Sequence, residues 1–243
     1  MNCDRQRCLA GVRRAIGIAV AAVVAVSVAP AAAQTPIPQV EKPKPTVPEV
    51  FTLMGTFVRV AYNNEGYVTM GYHVAQESIG EEWVLLDVGM TMRSPAKDYR
   101  LKREHIKMKT PDGKTIPLAT QAEFAQAGYL PALNNRAKVV RDSINYFPIE
   151  ASRGCALGFF ANTGGAGRQL AYDEVELSST RGCVGRLFFH VPGGIKVGQY
   201  WLTVDFPSGE VQVPFRILTK DEEKILKKSW EDLKKQHEES YKR

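Results

Sequence analysis

Apolar and polar residues alternate with period two along much of the chain. Val68, Met70, Tyr72 and Val74 are interleaved with Thr69, Gly71 and His73. Val84, Leu86, Val88, Met90 and Met92 are interleaved with Leu85, Asp87, Gly89 and Thr91. Ile106 and Met108 continue the pattern, as do Tyr200, Leu202, Val204 and Phe206, and then Val211, Val213, Phe215 and Ile217. One apolar face at period two predicts half-buried antiparallel strands. Pro214 stands on the polar side of the last run and has no N–H for a sheet ladder, which predicts an edge strand.

The turn signals fall between these runs. Asn63-Asn64-Glu65-Gly66, Pro111-Asp112-Gly113 and Pro207-Ser208-Gly209 each supply the backbone that a hairpin needs. Thr120–Ala127 is predicted as one short internal helix, with Thr120 and Glu123 as a capping box and Gly128 as its stop. Residues 129–143 read as a long connection. About nine to eleven short strands at this spacing predict a sandwich or barrel. The chain is therefore expected to be mainly β, an antiparallel immunoglobulin-like β-sandwich over residues 51–218 with a C-terminal α-helix.

A near-repeat occurs within that region. Ser152-Arg153-Gly154-Cys155 precedes Phe159-Phe160, and Thr180-Arg181-Gly182-Cys183 precedes Phe188-Phe189. Two readings are open. The copies are two strand starts of similar build, or Arg153 and Arg181 form a paired anion site, since guanidinium binds carboxylate and phosphate bidentately. Between the copies, Ala161–Gly167 is glycine-rich. It has neither the lysine nor the following helix of a phosphate loop, so a hairpin tip is expected.

Gly198-x-Tyr200-x-Leu202-x-Val204, preceded by Val191-Pro192-Gly193-Gly194, resembles the late strand of immunoglobulin-like and fibronectin-like sandwiches. Val211-x-Val213-Pro214-Phe215-x-Ile217 resembles their closing strand. Together they resemble exported β-sandwich proteins of Gram-negative bacteria over roughly the last third of the domain. The resemblance implies a fold and not an activity, because that architecture hosts many unrelated functions. The antibody-type Cys-Trp-Cys core is not copied, since no tryptophan lies between Cys155 and Cys183.

The N-terminus supplies a compartment. Arg5, Arg7, Arg13 and Arg14 precede the uncharged run Ala15–Ala33, which ends in Ala31-Ala32-Ala33. That order predicts a cleaved secretory signal over residues 1–33. The rival is a retained membrane anchor, because about twenty apolar residues span a bilayer. Residues 34–50 carry Pro36, Pro38, Pro43, Pro45 and Pro48 and read as an extended spacer. Cleavage changes the charge balance: Lys+Arg falls from 32 to 28 and Asp+Glu from 26 to 25, so the net charge drops from +6 to +3. No concentrated basic face remains, which argues against nucleic acid as a partner. Cys3 and Cys8 leave with the signal. Cys155 and Cys183 remain, and two cysteines in an exported chain are expected to form a disulfide.

Residues 219–243 differ from everything before them. Thr219 and Glu222 form a second capping box, and fifteen of the twenty-five residues are charged, so the apolar positions stand out. Leu226, Trp230, Leu233 and His237 fall on one narrow stripe. Either this stripe docks on the sandwich, or Leu226, Trp230 and Leu233 anchor a partner protein by helix-in-groove binding or helix pairing.

Candidate catalytic residues are sparse. His73, His105 and His190 sit on the polar side of predicted strands, and no pair has metal-ligand spacing on one element. The G-x-S-x-G nucleophile pattern is absent. Glu174 and Glu176 share a strand face, which a solvated surface explains as well as paired acid–base chemistry does. No metal or cofactor is expected. The expectation is a non-catalytic envelope interaction or scaffold protein, periplasmic or secreted, that binds another envelope protein through its C-terminal helix or a sheet edge. The alternative is a small-ligand or glycan-binding module using Trp83, Trp201 or Tyr67; a hydrolase on the sandwich is a third class.

Overall fold

A computed structural model describes residues 55–241 apart from 129, 141 and 162–169. The expected signal (1–33) and proline-rich spacer (34–50) lie outside the described residues, as do residues 162–167 of the glycine-rich stretch. The described chain is mainly β, with several sheets and four α-helices, an arrangement consistent with a β-sandwich.

Five strands form the first sheet: β1 (Val58–Tyr62), β2 (Gly66–Gly71), β3 (Trp83–Met92), β9 (Arg181–His190) and β7 (Arg153–Ala156), in that spatial order. The second sheet runs β11 (Gly209–Ile217), β10 (Gly198–Phe206), β5 (Ile106–Lys109) and β6 (Thr115–Pro117). A short pair, β4 (Tyr99–Lys102) and β8 (Glu174–Leu177), forms a third sheet. Each of the three predicted turns joins a hairpin: β1 to β2, β5 to β6 and β10 to β11. As Pro214 predicts, β11 is an edge strand.

The inward residues of both large sheets share one apolar core. Val68, Met70, Val84, Leu86, Val88 and Met90 come from the first sheet, and Ile106, Met108, Leu202, Val204, Val211 and Val213 from the second. The Tyr72 and Phe215 rings meet across it at 5.3 Å.

Three sequence expectations need correction. The strand expected to run to Val74 ends at Gly71, and helix α1 (His73–Gln76) follows, burying Val74, Ala75 and Gln76. The connection expected over 129–143 contains helix α3 (Leu130–Val139). Strand β3, expected to be half-buried, is buried at all ten positions. The last two corrections have one cause. Helix α2 (Gln121–Gln126), α3 and the irregular segment 142–151 cover the outer face of the first sheet. Phe124 of α2, Phe160 and Phe188 of β9 meet with ring centroids 4.8–5.1 Å apart. Further along, Phe147 lies where Gly89 and Gly182 have no side chain; a β-carbon on Gly89 would stand 2.6 Å from its ring.

Candidate interaction surface

Helix α4 (Lys220–Tyr241) begins with the predicted capping box. The Glu222 amide donates to Thr219 Oγ1 at 3.2 Å, and the Thr219 amide donates to Glu222 Oε2 at 2.9 Å. The Thr219 amide, Arg216 and the Thr219 hydroxyl hold the Glu222 carboxyl below the usual carboxylate range. The residue that links β11 to α4 is fixed from α1: Gln76 donates Nε2 to the Leu218 carbonyl at 2.9 Å and accepts the Leu218 amide at 2.8 Å. This buried carboxamide replaces the ladder bonds that the chain gives up on leaving the sheet.

One turn further on, Leu226 packs against the core, and Lys227 reaches Glu223 at 2.5 Å and lies 6.0 Å from the Phe57 ring. Ile225 beside it is 67% exposed. A groove of about 390 Å³ runs between this part of α4 and the outer strands of both sheets. Arg59 of β1, Tyr72, Arg216 of β11, Leu218, Glu222 and Ile225 are among its lining residues. Its polar walls are ordered: Arg59 donates to Tyr72 Oη at 2.8 Å, and Arg216 to Glu222 at 2.9 Å.

The expected stripe is therefore divided. Leu226 packs on its own domain, Trp230 is half-buried, and the side chain of Leu233 lies outside the described residues. Sequence reasoning missed Ile225, Arg59 and Arg216. The edge signal at Pro214 was the clue to Arg216, two residues away on the same side of the strand.

The near-repeat around the cysteines has a geometric cause. β7 and β9 pair in parallel, with Arg153 opposite Arg181, Gly154 opposite Gly182 and Cys155 opposite Cys183. The copies lie side by side and the two cysteines form a disulfide. Arg181 is 3.3 Å from Glu176 and 3.2 Å from Ser178 Oγ, while Arg153 is exposed.

The histidines have separate settings. His73 stacks on Phe57 and lies 3.8 Å from Asp142 and 3.9 Å from Glu77. His105 shares a 2.7 Å hydrogen bond with Tyr99, and His190 stacks on Trp83. Among the described residues, no group of three or more His, Cys, Asp or Glu side chains is placed to hold a metal ion. Glu174 and Glu176 each face an arginine, Arg100 and Arg181. The aromatics Trp83, Tyr67 and Trp201 do not share one platform. Trp201 belongs to the second sheet, and Tyr67 pairs with Thr91, at the far end of β3 from Trp83. Eight residues of strand separate those two positions, roughly 27 Å.

Beneath α3, charged groups are buried. Asp87 of β3 and its register partner Arg186 of β9 meet at 3.2 Å, with side chains 10% and 11% exposed. Arg186 also donates to Asn134 Oδ1 and to the Ala137 carbonyl, tying α3 to the sheet. Asp142 lies nearby, and its buried Oδ2 has no hydrogen-bond partner among the described residues. Burial raises the Asp142 carboxyl above its ordinary value; His73 opposes the rise and Asp87 adds to it. A raised folded-state value favours the protonated form, so the stability it contributes is present at low pH and lost as pH rises through that value. Asp142→Asn is therefore expected to raise the melting temperature at pH 8, with the gain over wild type closing below pH ~4, the ordinary carboxylate range. Melting curves across that range test it; an Asn variant less stable at pH 8 would refute the assignment.

Among the described residues, no helix is long and apolar enough to cross a membrane. The chain matches no protein-family model, no curated protein and no solved structure.

Proposed function

We propose that the chain is an exported, non-catalytic interaction module of the cell envelope, and that it engages another envelope protein where α4 meets the two edge strands. The observation that carries this reading is the groove beside Ile225. It brings the C-terminal helix and the sheet edges β1 and β11, two surfaces suited to peptide or helix recognition, to one place. Export is supported by the Cys155–Cys183 disulfide, since such bonds persist in oxidising compartments. The basic, apolar and small-residue order of residues 1–33 supports it independently.

The partner's anchor on this reading is an apolar side chain seated on Ile225 and the stem of Leu226, flanked by Arg59 and Arg216. A photo-reactive residue at position 225, used in cells of the source organism, is expected to trap one discrete envelope protein. The same protein is expected to be lost from pull-downs with a chain ending at Leu218, which keeps the Gln76 clamp and the whole sandwich. An equal yield from the truncated chain moves recognition away from α4. No discrete adduct at position 225 removes the interaction reading.

A further inference from the structure

The groove beside α4 carries a charge that the described chain leaves unanswered. Arg59 stands on its β1 wall, half-buried. Its guanidinium donates to the Thr56 carbonyl at 3.3 Å, to the Val58 carbonyl at 2.7 Å and to Tyr72 Oη at 2.8 Å. It also lies 5.1 Å from the centre of the Tyr72 ring. All three acceptors are neutral. Burial pushes the Tyr72 phenol up, with Arg59 opposing, so the phenol stays protonated and cancels no charge. Among the described residues, no carboxylate pairs with Arg59.

The opposite wall is already balanced. Arg216 has Glu222 at 2.9 Å, and the same carboxylate caps α4 through the Thr219 amide. Glu222 is therefore committed and does not serve Arg59. The described lining holds two arginines against one glutamate, an excess of one positive charge, beside the exposed side chain of Ile225.

Arg59 is also held ready. A guanidinium has five N–H groups, and the three bonds leave Nε–H and one on Nη2 free. Two such donors suffice to take both oxygens of a carboxylate. The bonds to the backbone and to Tyr72 fix their direction before a partner arrives.

Desolvation then selects the occupant. A wholly apolar segment laid on Ile225 would take Arg59 out of water with no counter-ion, which is costly. A wholly acidic segment would leave Ile225 without apolar cover. One segment that carries both groups meets both demands.

Resting on the reading that this groove seats the partner, we infer that the partner's segment places an apolar side chain on Ile225 and, within two residues of it, a carboxylate on Arg59. That carboxylate belongs to an Asp or Glu side chain or to the end of the partner's chain. The chemistry at Arg59 is the same for both.

The photo-reactive residue at position 225 provides the test. The trapped segment is mapped by mass spectrometry, made as a short synthetic peptide, and bound to the exported chain by fluorescence anisotropy. A second peptide has the carboxylate replaced by its amide, at the side chain or at the terminus, which tells the two sources apart. The amide is expected to weaken binding about tenfold, the factor that one charge-assisted contact supplies. Arg59→Met is expected to weaken the acidic peptide by a similar factor and the amide peptide little further, because both changes remove one contact. The amide peptide leaves the protein untouched, so it decides the matter even if Arg59→Met disturbs β1. A mapped segment with no carboxylate within two residues of the adduct overturns the inference. So does an amide peptide that binds as tightly as the acid, and so do losses that add fully in a folded Arg59→Met. In each of these cases the adduct stands, and with it the interaction at α4. Absence of any adduct at position 225 removes both.

Discussion

Arg186→Met is expected to destabilise the fold by about 3–5 kcal/mol, the cost of leaving one partner of a buried ion pair behind. Asp87 and Arg186 face each other across β3 and β9, each about nine-tenths buried. Without the guanidinium, the Asp87 carboxylate keeps its desolvation penalty and loses its counter-ion. Asn134 and the Ala137 carbonyl lose a donor at the same moment, so α3 loosens from the sheet. Urea denaturation of the single and double variants separates charge from packing. Asp87→Leu combined with Arg186→Met is expected to recover at least half the loss, because the pair is then replaced by apolar groups rather than broken. A single variant that costs under about 1 kcal/mol would show that the pair does not hold the layer together.

Replacing Cys155 and Cys183 with alanine is expected to cost roughly 3–4 kcal/mol, the chain-entropy value for a loop closed at a separation of 28 residues. The effect should concentrate at one edge. β7 has four residues and, among the described residues, pairs with β9 alone, so the covalent link and one short ladder hold it. A reductant is expected to lower the wild-type melting temperature and leave the Ala/Ala variant unchanged. Amide exchange should rise first over residues 151–157. Equal protection in oxidised and reduced protein would show that the ladder suffices without the bond.

What the sequence revealed and what it hid have physical reasons. The β10 and β11 strands were legible because one face of each meets the core and the other meets solvent, so burial writes itself as alternation. Both capping boxes were legible because they involve side chains only three residues apart. The disulfide was legible from the cysteine count and the signal-like order of residues 1–33, and the parallel register of β7 and β9 then explained the repeat. β3 was misread because Asp87, Gly89 and Thr91 look like a solvent face. Asp87 is neutralised by a residue ninety-nine positions away, and Gly89 is polar-looking only because it makes room for Phe147. α3 was missed because its inner stripe is Leu133 and Ala137, a weak signal interrupted by Asn134 and Asn135. The groove beside α4 needs Arg59, Arg216 and Ile225 from three separate segments, and no local pattern joins them.

The position of β3 also sets an order of events. It is the middle strand of its sheet, with one neighbour, β2, immediately before it in the chain. Its other neighbour, β9, starts at Arg181, whereas β3 ends at Met92. A chain made from its N-terminus delivers β1, β2 and β3 as a meander. A long apolar strand then stands with one open ladder until most of the domain has been made. Such an edge is a template for pairing with other copies, and distant pairings form late. Folding of this protein therefore contains an interval, between the appearance of β3 and that of β9, in which the open ladder of β3 is exposed, and refolding yield is expected to fall as protein concentration rises.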